Sequence, residues 1–168
     1  MLRDAGNDAG DPVDVPGGLR AALRGYQHRA LRWLARTTEL GFGALLADDM
    51  GLGKTLTVIA YHLHRARPDR AAGPTLVVCP ASLLANWERE FARFAPDVPV
   101  RRHHAASRSL DGLAPPQGQV VVTTYGTLLR DAGRLAEVRW GIVVADEAQQ
   151  VKNHRSQAAQ ALLSLIHI

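Results

Sequence analysis

Leu46-Ala-Asp-Asp-Met-Gly-Leu-Gly-Lys-Thr55 stands between a short apolar run, Gly43–Ala47, and a segment of helical spacing from Lys54 to Arg65. Strand, glycine-bearing loop and helix in that order make a turn suited to phosphate. Gly51 and Gly53 can take backbone conformations closed to larger residues and so present unobstructed N–H groups, with Leu52 between them. The helix that starts at the loop adds its positive dipole end. Lys54 then reaches the β- and γ-phosphates, and the Thr55 hydroxyl binds Mg²⁺. Asp48 occupies the first glycine position of the strict phosphate-loop pattern. A tight turn without a ligand is the competing reading, so a second site is needed.

Outward from this loop, apolar runs alternate with helical segments. Thr75–Cys79 is a buried-strand run stopped by Pro80, and Ser82 is placed to cap a helix reaching Phe94, with Leu83, Leu84, Trp87, Phe91 and Phe94 on its apolar face. Val98–Val100 reads as a further strand, followed by a poorly patterned surface loop to Gly118. Val120–Thr123 and Ile142–Ala145 are two more β-branched runs. Strands apolar on both faces and alternating with helices predict an α/β fold, a mostly parallel sheet with helices on both faces. Ligands of such sheets bind beyond the carboxyl ends of the strands, where Asp48, Pro80 and Asp146 begin.

Ahead of the loop, Ala22, Leu23, Tyr26, Ala30, Leu31, Trp33 and Leu34 recur at helical spacing. Residues 1–18 are rich in Asp, Gly and Pro and read as a linker or disordered lead-in. The 168 residues suffice for one sizeable core, and 46% hydrophobic against 21% charged is ordinary for a soluble protein. No apolar run has the length of a membrane span and no signal peptide opens the chain, so a cytoplasmic protein without a membrane partner is expected. The single cysteine, Cys79, excludes an internal disulfide and a cysteine-based zinc site. His62 and His64 do not share a helix face and His103–His104 lies in a weak pattern, so histidine-bound metal is not expected. The net charge is +4, with 20 Lys and Arg of which only Lys54 and Lys152 are lysines. That bias fits either a GC-rich coding sequence or a nucleic-acid footprint.

The second site is Val143-Val-Ala-Asp-Glu-Ala-Gln149, where a strand delivers Asp146 and Glu147 at its carboxyl end. In nucleotide hydrolases of this layout the Asp holds Mg²⁺ and the Glu positions and deprotonates the attacking water. A solvated acidic pair opening the next helix is the alternative, weakened by the order in which the two motifs occur. In extended backbone the two side chains point in opposite directions, which separates their roles.

Together, Ala47-Asp-Asp-Met-Gly-Leu-Gly-Lys-Thr55 and Asp146-Glu-Ala-Gln149 resemble motifs I and II of the Swi/Snf-type superfamily 2 DNA-dependent ATPases, DEAD/DEAH-box helicase-like proteins whose bacterial members carry this DEAQ variant. The resemblance runs from about Leu19 to Leu162 and implies a three-layer RecA-like lobe, the helicase ATP-binding domain over residues 19–162. It also implies that Gln27, within Leu23-Arg-Gly-Tyr-Gln27, bonds the adenine edge; Gly25 stands where the family has Pro. Leu76–Glu90 resembles motif Ia and Thr123–Leu128 motif Ib, which makes Ser82 and Thr123 candidates for DNA phosphate contact, with plain helix caps as the alternative. Asn86 and Trp87 read as structural, and Lys152 as a structural or DNA-facing charge.

The resemblance further implies ATP and Mg²⁺ as cofactors, double-stranded DNA as partner, a bacterial, nucleoid-associated setting, and a second RecA-like lobe in the parent protein. That lobe would carry arginines worth ~10³–10⁵ in rate, so the chain alone is expected to hydrolyse ATP poorly. Residues 163–168, Leu163-Ser-Leu-Ile-His-Ile168, read as a non-native tail, with a natural helix end as the alternative. The functions that compete are a translocating ATPase lobe, a nucleotide- or DNA-binding module without turnover, and an unrelated phosphate-loop ATPase.

Overall fold

Three β-branched runs pair side by side because each is apolar on both faces and leaves its backbone groups only one another to bond. The computed structural model describes residues 15–46, 53–67, 73–105, 118–151, 153 and 155–165. The expectations for 1–14, Ala47–Leu52, the loop over 106–117, Lys152 and 166–168 lie outside the described residues. The elements in chain order are α1 (Gly25–Glu39), α2 (Lys54–Arg65), β1 (Thr75–Cys79), α3 (Leu84–Phe94), β2 (Val100–His103), β3 (Val120–Thr124), α4 (Tyr125–Ala136), β4 (Ile142–Ala145) and α5 (Gln157–Leu163). The four strands form one parallel sheet in the order β2-β3-β1-β4.

Strand periodicity sorts the core into two layers. Val77, Cys79, Val120 and Val122 face Ile59 of α2 and Leu84, Trp87 and Phe91 of α3. Leu76, Val78 and Val121 face Leu128 and Leu135 of α4 and Ala161 and Leu162 of α5. The chain leaves β1 toward β2 and leaves β3 toward β4, in opposite directions across the sheet. Such a reversal opens a crevice at the carboxyl ends of the strands. A third cluster, Leu23, Leu31, Leu34 and Ala35 with Ala60 and Tyr61, packs α1 on α2.

At the opposite end of the sheet, the backbones leading into β1 and β4 touch. The Gly141 N–H donates to the Pro74 carbonyl at 2.9 Å. A Cβ on Gly73 would lie 2.3 Å from the Arg139 carbonyl oxygen, and one on Gly141 would lie 2.7 Å from the Gly73 nitrogen. Only glycine fits on either side.

Three local expectations change. Gly43–Leu46 is not a strand: a ladder needs a neighbour to take up its N–H and C=O groups, and among the described residues none runs beside it. The second strand starts at Val100 rather than Val98, because the Val98 N–H is already spent in a turn on the Ala95 carbonyl. Ser82 does not cap α3; it sits within a 3-10 turn, Ala81–Leu83, and the helix begins at Leu84 with Leu83 as its N-cap. Leu165 is buried in the cluster of Leu76, Leu128 and Leu162.

Candidate active site

Asp146 is the first residue past β4, and each of its polar groups has a partner. Its N–H donates to the Val78 carbonyl at 2.8 Å, extending the β1–β4 ladder by one bond. Its carbonyl accepts the Tyr125 hydroxyl at 2.7 Å. Carboxylate Oδ2 accepts the Trp87 indole N–H at 2.8 Å, and Oδ1 accepts the backbone N–H of Glu147 at 2.9 Å. Three elements, β1, α3 and the start of α4, thus converge on one residue. The carboxylate keeps further lone pairs for a cation, since each oxygen can accept more than one bond. A hard divalent ion matches that oxygen donor.

Glu147 is separated from Asp146 by a different device than strand alternation. Its φ is +55°, in the left-handed region that non-glycine residues seldom occupy. The backbone turns there and leaves the side chain exposed, with Gln149 donating its amide to the Glu147 carboxylate. Asp146 is half-buried and held; Glu147 reaches solvent. The extended-backbone premise of the sequence reading fails at this residue.

The negative charge at this strand end is felt by its neighbours. Burial, with the carboxylates of Asp146 and Glu88 adding to it, pushes the Cys79 thiol up to about 12. Burial, then Asp146, Cys79 and Glu147, pushes the Tyr125 hydroxyl up to about 12 as well. Tyr125 therefore keeps its proton and remains a donor to the Asp146 carbonyl at any working pH.

Gly53 is the N-cap of α2 with φ +72°, so Lys54 and Thr55 form the first helical turn, at the positive end of the helix dipole. Gly51 and Leu52 lie outside the described residues. Gln27 is buried against this turn: its Oε1 accepts the Arg24 N–H at 2.9 Å, and its Nε2 donates to the Gly53 carbonyl at 3.3 Å. A Cβ on Gly53 would lie 2.6 Å from that Nε2. The segment expected to read adenine is thus in contact with the last glycine of the loop expected to hold phosphate.

Ser82 is exposed, but Thr123 is not. Thr123 is fully buried in β3 and its hydroxyl donates to the His103 carbonyl at 2.7 Å, so a phosphate contact through that hydroxyl is corrected: strand alternation turns it inward. The residues that reach the surface there are Tyr125 and Gly126, at the start of α4, which Thr124 caps by accepting the Thr127 N–H at 3.2 Å. The ends of β1 and β3 flank a cleft of about 460 Å³ lined by Pro80, Ala81, His104, Thr124, Tyr125 and Arg130. The two segments likened to motifs Ia and Ib therefore share one groove. Trp87 and Tyr125 are the site residues that sequence reasoning missed. One signal was available: a buried indole or phenol brings a polar tip that needs a partner.

With this geometry in hand, comparison with known proteins is specific. The model of the SNF2-related domain matches residues 26–167. A putative ATP-dependent helicase/translocase, YwqA of Bacillus subtilis, is 41% identical over 150 residues, 88% of this chain and 16% of that protein. Human chromatin-remodeling ATPase INO80 is 36% identical over 167 residues, 92% of this chain and 11% of that protein. The Sulfolobus solfataricus SWI2/SNF2 ATPase core in complex with double-stranded DNA superposes with a TM-score of 0.78 at 42% identity, covering 89% of this chain and 31% of that one. The chain spans about a sixth or less of the curated relatives it matches.

Proposed function

This chain belongs to the SNF2-related domain family, and from that premise we propose that it is the ATP-binding lobe of a DNA-dependent ATPase that moves along duplex DNA. The observation that carries the reading is the anchored Asp146 beside the exposed Glu147 at the carboxyl end of a parallel strand. The glycine-capped start of α2 supplies the complementary phosphate-binding end.

In this reading the backbone of Gly51, Leu52 and Gly53 cradles phosphate, Lys54 offsets its charge, and Gln27 reads adenine by exchanging one of its present bonds for the base. Asp146 and the Thr55 hydroxyl would hold Mg²⁺, which when bound would supply neutralisation of phosphate charge. Glu147 accepts the proton of the attacking water from its solvent-facing position, and the proton returns to solvent. Hydrolysis is completed by arginines of a second RecA-like lobe elsewhere in the parent protein, worth ~10³–10⁵ in rate. Ala81, Arg130 and the start of α4, with exposed Ser82 next to Ala81 in the chain, line the groove that would follow a DNA backbone, an attraction that weakens with salt and ignores sequence.

Titration with labelled ATP and Mg²⁺ tests the reading. Lys54→Ala should weaken binding; a folded variant with unchanged affinity overturns it. Duplex affinity that ignores salt overturns the DNA part alone.

A further inference from the structure

Asp146 owes the direction of its carboxylate to a residue 59 positions earlier in the chain. Trp87 is 3% exposed, locked between the β1 face and Phe91, with ring centroids 6.2 Å apart and planes at 32°. An indole so packed cannot follow a carboxylate that rotates, so its N–H defines where Oδ2 must sit. The second oxygen is fixed by the Glu147 N–H, itself aimed by the left-handed turn at Glu147. The backbone beneath is clamped between the Val78 carbonyl and the Tyr125 hydroxyl.

Packing alone does not require this partner. Phe91, one helical turn onward on the same face, shares the cluster with no polar atom. A part-buried, charge-assisted bond from a rigid donor is instead the arrangement that orients metal-ligating carboxylates from behind.

We propose that Trp87 is a positioning residue for the Mg²⁺-holding carboxylate of Asp146, with Tyr125 supporting the same residue through its backbone. This rests on the reading of Asp146 given above. Trp87 and Tyr125 come from the two segments that line the groove between β1 and β3. The aim of the carboxylate is therefore tied to the position of both groove walls.

The test uses the full-length protein and labelled ATP, with affinity measured in saturating Mg²⁺ and again in excess EDTA. Trp87→Phe removes the N–H with some loss of volume. Replacing the indole by its benzothienyl isostere removes the N–H while keeping the shape. The expected result for both is a Mg²⁺-dependent gain in affinity reduced about 10–100-fold, with EDTA affinity and thermal stability of the isostere unchanged. An isostere protein with a full Mg²⁺ gain overturns the proposal, as does one that loses affinity equally with and without Mg²⁺, which marks a structural role. Lys54→Ala serves as control. If that variant binds ATP like the parent, the nucleotide reading has failed, independently of Trp87.

Discussion

The two halves of the candidate site are held in opposite ways. At the acidic end, Asp146 is bound through its N–H, its carbonyl and both carboxylate oxygens by groups from β1, α3 and α4. The approach to the phosphate loop is the reverse: Leu40, Phe42 and Leu45 are 65–69% exposed, and no strand forms over Gly43–Leu46. Contact with the rest of the site is made at Gly53, through the Gln27 amide. The difference teaches that motif strength and structural support are separate quantities. Lys54 and Thr55 stand in the motif most readily named from sequence. Asp146 is better anchored, because parallel strands carry their ends into the middle of the core.

Chemistry gives the largest expected effect that could break this contrast. In the full-length protein, Glu147→Gln should bind ATP normally yet lose about 10²–10⁴ in DNA-stimulated phosphate release, the range of general-base catalysis. Full turnover would reduce Glu147 to a surface charge and leave Asp146 as a merely well-held acid.

The second test sharpens the contrast through pH. His62 of α2 is buried beside Phe91 with Nδ1 2.8 Å from the Thr75 hydroxyl, and burial lowers its pKa from 6.5 to about 4. The folded state therefore favours the neutral ring. Its contribution is complete above about pH 6.5 and is lost as pH falls toward 4, by about 3 kcal/mol in all. Denaturant midpoints at pH 7 and pH 4.5 should differ accordingly, and His62→Gln should flatten that part of the slope. An equal slope in the variant would assign the acid sensitivity elsewhere.

Smaller effects separate glycines that are needed from those that are not. Gly141→Ala forces a methyl group into the Gly73 backbone and should cost about 1–3 kcal/mol in unfolding free energy. Gly133 of α4 has nothing within 4 Å of where a Cβ would stand, so Gly133→Ala should add about 0.5–1 kcal/mol. Equal responses to the two substitutions would mean that the crossing at the base of β1 and β4 is slack.

The sheet was legible from the chain because Thr75–Cys79 and Val120–Val122 are β-branched or apolar at every position, a pattern that only a strand buried on both faces tolerates. The start of α2 was legible for the same reason, since glycine, lysine and threonine meet at a change of period. What stayed hidden depends on distant partners. Gly43–Ala47 resembles a strand by composition, yet a strand exists only beside another. Thr123 could be an exposed end or an inward rung until its neighbour His103 is known. Trp87 passed as an ordinary apolar helix position because its acceptor lies 59 residues away, beyond any local pattern.

The crossing of Gly73 and Gly141 acts on the chemistry from the far end of the sheet. Two backbones in contact work like a ratchet with a single tooth, setting how far β4 may advance along β1. Were β4 to slip by one residue in either direction, the Val78 carbonyl would receive the N–H of Ala145 or of Glu147 instead, and every side chain of the strand would change faces. The indole of Trp87 would then find no carboxylate, or the wrong one of two adjacent acids. Two residues without side chains thus choose, five positions upstream, which acid meets the indole and which is left to solvent.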